Sequence, residues 1–315
     1  MNLNDIKRSL RDMPTSVDGR DSETIKCSIR LLKTEAVSSG NESFANALWA
    51  YGHILELQDN YLIAFNLMRD REFYAAWCQL ATVETYIRVL RPHYRSAYNG
   101  FYIDFIDEYT RRFQSLYPYR LFFSIEAIVK ARSCGICGAK IFLRTSCQHK
   151  PGELYFGEYC YRVVEKLELP GISVVESPAD KSCVVFKSVD GKPADDYDYT
   201  LVQYPISKLA TPLDKWNYEK TTIRHPHSYF SDFQPEDGCP CGSEIKYKDC
   251  CLLEHGVLQP HFQFHFDRVN SDQKFELIYK RGTDTKITYP ELSENNADLL
   301  RALTLRRATT GNPII

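Results

Sequence analysis

Four thiols crowd into the thirteen residues Cys239-Pro240-Cys241-Gly242-Ser243-Glu244-Ile245-Lys246-Tyr247-Lys248-Asp249-Cys250-Cys251. They form a C-x-C pair, an eight-residue excursion and an adjacent C-C pair. A zinc ion takes four soft ligands in a tetrahedron, with sulfur about 2.3 Å away. The C-x-C turn can set two thiolates on one side of an ion, and the excursion is long enough to bring the second pair to the other. Adjacent cysteines bridge poorly, so the spacing speaks for a metal and against two disulfides. Gly242 and Ser243 suit the sharp turn after the first pair, where backbone N–H groups can face sulfur. Lys246 and Lys248 flank Tyr247, which reads as an exposed rim of two cations around a ring free to stack.

A second cluster lies upstream. Cys134-Gly135-Ile136-Cys137-Gly138 is a C-x2-C-G knuckle, followed by Cys147-Gln148-His149 and then by Gly152, Tyr155, Gly157 and Cys160. Cys147 and His149 alternate along an extended stretch and so point the same way. Cys160 opens what reads as an amphipathic helix, Tyr161 to Leu167, whose N-terminus would favour a thiolate. Five candidates stand for four places. The first set is Cys134, Cys137, Cys147 and His149; in the competing set Cys160 replaces Cys147 or His149.

Two other placements invite a chemical reading. Arg88-Val89-Leu90-Arg91-Pro92-His93 has basic residues at a helix end followed by histidine, and a solvated helix terminus, with its basic residues near the C-terminal dipole, is the favoured reading of the pattern. His225-Pro226-His227 could be a metal pair, but the intervening proline and the lack of a nearby carboxylate read as a surface turn.

The elements that carry these residues change in character along the chain. Residues 1–40 read as two short helices or a partly mobile arm. Ser43 is the expected cap of a long helix through Phe44, Leu48, Tyr51, Leu55 and Tyr61 to Met68. After a break at Arg69-Asp70-Arg71, Glu72 to Leu90 repeats apolar residues at helical spacing, and Pro92 ends it. Ile103 to Phe113 is a third long helix, and Ser124 to Lys130 reads as a short one. Beyond Pro170 the pattern turns to β: Ile172–Val175, Cys183–Phe186 and Tyr199–Tyr204 are short strands, and 205–237 is irregular. His261 to Asp267 alternates with Phe262, Phe264 and Phe266 on one face, and Lys274 to Lys280 alternates again, so a hairpin is expected. Ala297 to Arg307 reads as a basic amphipathic helix. The expected fold class is α+β. Its parts are a helical domain (1–132), a first zinc-binding segment (133–170), short strands and a linker (171–237), a zinc knot (238–256), and a hairpin with a terminal helix (257–315).

The thirteen-residue stretch resembles the SEC-C family, named for the zinc tail of the bacterial secretion ATPase. Cys239, Pro240, Cys241, Gly242, Ser243, Lys246, Tyr247, Lys248, Cys250 and Cys251 match its pattern, while Glu244, Ile245 and Asp249 replace the usual Gly, Lys and Lys. The upstream cluster is similar to a zinc-binding stretch of assorted phage and bacterial proteins, where its role is structural. Together they resemble a group of uncharacterised bacterial SEC-C proteins, which implies a recognition role and a setting in phage defence. The run from Arg88 to His93 resembles the R-x4-H motif of HEPN-type ribonucleases, although Val89 stands where they carry a small polar residue.

Composition narrows the reading further. The 315 residues carry a net charge of −2, so no global field draws the chain to nucleic acid or membrane. Nine of eleven cysteines fall between Cys134 and Cys251, which suits reduced, metal-bound thiols in a cytosol. No apolar run approaches a bilayer span, and Met1-Asn2-Leu3-Asn4-Asp5 lacks the features of a signal peptide. No Walker loop, dinucleotide fingerprint, nucleophile elbow, H-E-x-x-H helix or zinc-deaminase pattern occurs. Closed cysteine-rich sites are structural. The sequence thus describes a cytoplasmic adaptor with two structural zinc ions, recognising a protein partner or RNA. The alternative is a ribonuclease effector using Arg88 and His93.

Overall fold

The computed structural model describes residues 1–94, 100–142, 144, 147–189 and 192–268, together with the backbone of 276–278. The expected terminal helix, and Lys274, Phe275, Tyr279 and Lys280 of the expected hairpin, lie outside these residues. The fold is α+β, with helices and small antiparallel sheets.

Helix α1 (Leu3–Arg11) starts with a capping box: Asn2 accepts from the N–H groups of Asn4 and Asp5, and the Asp5 side chain accepts from Asn2 N. Its Ile6 and Leu10 are fully buried, each contributing roughly 1.5–3 kcal/mol. Helix α2 is Ser22–Ser38, capped by Asp21. Helix α3 (Glu42–Arg69) is the centre of the assembly, burying Leu48, Ile54, Leu57, Tyr61, Phe65 and Met68. Its cap is Asn41, which accepts from Phe44 N at 3.1 Å, and not Ser43. Gln58 of α3 donates to the carbonyls of Leu10 and Phe101 and accepts from Arg20, whose guanidinium also pairs with Asp59. This buried network ties the N-terminal segment to the helices, as two helices and not an arm. Helix α4 (Phe73–Leu90) returns along α3, and α5 (Ile103–Gln114) completes the helical part.

Two expected helices are strands. Residues 124–130 belong to β1 (Phe122–Cys134), and of 161–167 all but Tyr161 belong to β5 (Arg162–Val175). The two strands pair antiparallel from Phe122↔Val175 to Cys134↔Arg162, so partners some thirty to fifty residues apart override local helical spacing. Between them lie β2 (Lys140–Ile141), which also pairs with β1, and the small hairpin β3 (Leu154–Tyr155) with β4 (Glu158–Tyr159). The expected strand 172–175 is the end of β5. The expected strand 183–186 reduces to a bridge of Val184 to Phe122.

The stretch 199–204 is helical, in α6 (Thr200–Lys208), where burial of Val202 and Ile206 at helical spacing outweighs the β-branched composition. The region expected to be irregular contains β8 (Trp216–His225), which pairs along its whole length with β9 (Val257–Phe266). Phe262, Phe264 and Phe266 are buried on one face of β9, as their alternation requires. The expected hairpin forms, β10 (Glu276–Ile278) pairing with β9. Trp216 joins this sheet to the helices: its ring lies against Phe113 and Tyr109, and its carbonyl accepts from Arg112.

By contacts the chain divides into two units. The first is Met1–Val184 with Asp198–Arg281, and it holds all the elements above. In the second, the described residues form the hairpin of β6 (Lys187–Val189) and β7 (Lys192–Ala194). No helix among the described residues is long and apolar enough to cross a membrane.

Candidate metal centres

Cys134 ends β1, and the knuckle that follows is a tight turn: Gly138 N donates to Cys134 O at 2.9 Å, with Gly138 at φ +68°. That turn aims the backbone N–H of Ile136 at the Cys134 sulfur, 3.4 Å away. Cys147 and His149 follow β2 in the chain. Ligand atoms of Cys134, Cys137, Cys147 and His149 all lie within 4.8 Å of one another. His149 Nδ1 is buried and has no hydrogen-bond partner, as a ring nitrogen awaiting a metal would be.

Cys160 lies outside this quartet. Its thiol is fully buried beside that of Cys134, and the Arg162 guanidinium lies 3.8 Å from its sulfur. Burial, and then the Cys134 thiol, push Cys160 up. Burial also raises Cys134, but the N–H groups of Cys137 and Ile136 and the thiols of Cys147 and Cys137 outweigh it and bring Cys134 down to about 6. The cluster thus favours a thiolate at Cys134.

This segment is fixed to the start of α3. Gly157 N donates to Asn46 at 2.6 Å, Phe156 N donates to Glu42 at 3.2 Å, and Lys33 pairs with Glu158. Tyr159 stacks on Trp49, their rings 7° from parallel.

In the second cluster, Cys239 N donates to Ile245 O and Gly242 N to Cys239 O, closing the loop. Sulfur separations are 3.7 Å for Cys241 to Cys250 and 4.0 Å for Cys250 to Cys251. A tetrahedron with arms of about 2.3 Å has edges of about 3.8 Å, whereas a disulfide would need about 2.05 Å. Burial and then the neighbouring thiols push Cys239 up to about 12, against N–H donors from Cys241 and Cys251. At Cys241 burial also raises, but the Ser243 hydroxyl and the Cys239 thiol bring it down to about 7. Four sulfurs this close cannot all ionise without a cation among them. Both quartets could therefore hold a metal ion.

The sequence missed what supports this knot. Tyr247 is 3 % exposed and packs with Phe230, Val257, Cys239 and Cys251, so it is no stacking platform. Its hydroxyl meets His227 Nδ1 at 2.6 Å, and His227 Nε2 meets Glu254 O at 2.9 Å. His225 is buried beside Tyr229 and joins no ligand cluster. The 225–227 stretch is thus a brace from β8 to the knot and not a free surface turn. Lys246 and Lys248 both pair with Glu236, at 2.9 and 2.6 Å. Nothing in the local spacing singles out Glu236, ten and twelve residues away.

Arg88 is exposed on α4, while the His93 ring lies edge-on to Trp49 and Tyr159. No hydrogen bond or ring contact joins the two. Arg91, not Arg88, reaches a carboxylate: it shares Asp107 with Arg111. His93 lines a cleft of about 580 Å³ whose described lining includes Glu42, Glu153, Tyr51 and Tyr94 and no Lys or Arg. Two carboxylates and no cation are a poor match to a phosphodiester.

Residues 237–253 match the SEC-C motif. The chain carries a SEC-C motif, and its four cysteines are the second quartet. The curated proteins and the solved structures contain no match to this chain. The motif and the two quartets fit a zinc-binding protein.

Proposed function

We propose that this SEC-C protein is an adaptor stapled by two zinc ions, one in each quartet, that recognises a protein or RNA partner. The observation that carries the reading is the sulfur spacing in the SEC-C quartet, which is that of a tetrahedral ZnS4 edge. All four positions of each quartet are side-chain donors, which leaves no open position for substrate, and closed sites are structural. Elemental analysis of protein purified without added metal should give two zinc ions per chain. Cys137→Ser and Cys241→Ser should each remove one, and less than one zinc in the wild type would overturn the reading.

The surface offered to a partner is the rim of the knot. Ile245, Leu252 and Leu253 are exposed there beside Lys246 and Lys248. With Glu236 between the lysines and Glu244 and Asp249 exposed on the same loop, the rim has no positive surplus, which suits a mostly apolar contact more than a phosphate track. Leu252→Asp/Leu253→Asp should keep both zinc ions and lose the partner in a pull-down, with RNase treatment telling RNA from protein. Unchanged recovery by that variant would remove the rim from the reading. A setting in bacterial defence rests on the resemblance alone.

A further inference from the structure

The longest strand among the described residues, β5, is open to solvent along most of its length. From Val163 to Pro170, β5 is exposed on both faces, with Val164 at 44 %, Leu167 at 47 % and Leu169 at 42 %, and Ile128 opposite on β1 at 48 %. Past Val164, beyond the two residues of β1 that also pair with β2, β1 and β5 form a bare two-stranded ribbon, and among the described residues the outer edge of β5 pairs with nothing. A two-stranded ribbon wet on both faces is marginal, and an open edge with apolar side chains is a template for another strand.

We propose that β5 pairs antiparallel with β5 of a second copy of this chain, about a two-fold axis at Leu167. An axis perpendicular to the sheet keeps every side chain on its own face, so facing residue numbers must sum to an even number and the axis must run midway between the two copies of one residue. Centring on Glu165, Lys166 or Glu168 sets like charges on each other at the axis. Centring on Val164 sets Arg162 against Lys166. Centring on Val163, Leu169 or Pro170 pairs no charges. Centring on Leu167 sets Lys166 opposite Glu168 twice and Leu167 opposite itself. One register shift falls between Leu167 and Lys166, but its extra residue is Lys130 of β1. The extra residues on β5 itself lie outside Lys166–Glu168, at Glu165 and at Leu169–Pro170, so β5 alternates regularly through this triplet. Lys130 of β1 already reaches Glu168 at 2.9 Å, and Lys166 of the second copy would meet the same carboxylate from the open side. The charges on this edge discourage other registers and select this one.

The test is the solution mass of the full zinc-loaded chain by sedimentation, for wild type, Lys166→Glu, Glu168→Lys and the double swap Lys166→Glu/Glu168→Lys. The expected result is twice 36.5 kDa for the wild type and the double swap, and 36.5 kDa for each single variant. Lys166 is exposed and makes no ion pair among the described residues, so Lys166→Glu should melt as the wild-type monomer does. A monomeric wild type, single variants that stay dimeric, or a double swap that stays monomeric would each overturn the proposal.

Discussion

Two glycines of the first cysteine segment should respond very differently to the same substitution. Gly138 and Gly157 both have left-handed backbones, with φ of +68° and +74°. That conformation costs an alanine about 1–2 kcal/mol. At Gly138 a Cβ would meet nothing within 4 Å. A gain of about 0.4–1 kcal/mol from the stiffer unfolded chain offsets part of the cost, so Gly138→Ala should lose only about 1 kcal/mol. At Gly157 a Cβ would lie 2.7 Å from the Ala45 carbonyl oxygen. That oxygen is backbone of α3 and cannot retreat without distorting the helix. The shift would instead pull Gly157 N off Asn46, a hydrogen bond of 2.6 Å worth about 1 kcal/mol. Gly157→Ala should therefore cost about 3 kcal/mol once overpacking is added. Urea unfolding of the wild type and both variants at one fixed zinc concentration measures the difference, since bound metal shifts apparent stability by mass action. Equal losses in the two variants would refute the close seating of the segment on α3.

Glu244 stands where the SEC-C pattern has glycine, and its φ is +63°. Glu244→Gly should relieve the strain and raise stability by about 0.5–1 kcal/mol after the entropy of glycine is charged against it; a loss measured in the same urea assay would contradict this. Burial, with smaller contributions from Lys33 and His93 and against the hydrogen bond to Trp49, holds His53 down at about 4 instead of 6.5. Between those pH values the unfolded chain takes up a proton that the folded chain refuses, so stability rises with pH across the window and is lost as pH falls through it. The loss attributable to His53 is on the order of 3 kcal/mol. His53→Gln should flatten the acid limb relative to wild type, and identical limbs would show that His53 is not held neutral by its surroundings.

The amino-acid sequence by itself determined the features whose parts are close in the chain. Thirteen residues suffice to close one sulfur quartet, and sixteen, Cys134 to His149, span the other. The same holds for helices α3 and α4 and for the buried phenylalanine face of β9, because apolar period is a local property. Tertiary structure alone decided whatever depends on a distant partner. Residues 124–130 and 161–167 have helical spacing when read singly, and only mutual pairing makes strands of 124–130 and 162–167. Tyr247 is flanked by lysines like a surface ring, yet Phe230 and Val257 bury it. The charge of Lys246 and Lys248 is halved by Glu236, and Gly157 is needed because of Ala45, more than a hundred residues earlier. A short loop has few ways to bring its own donors around one ion. A strand edge or a buried ring can meet many partners, and the choice among them is made by the packing of the whole chain.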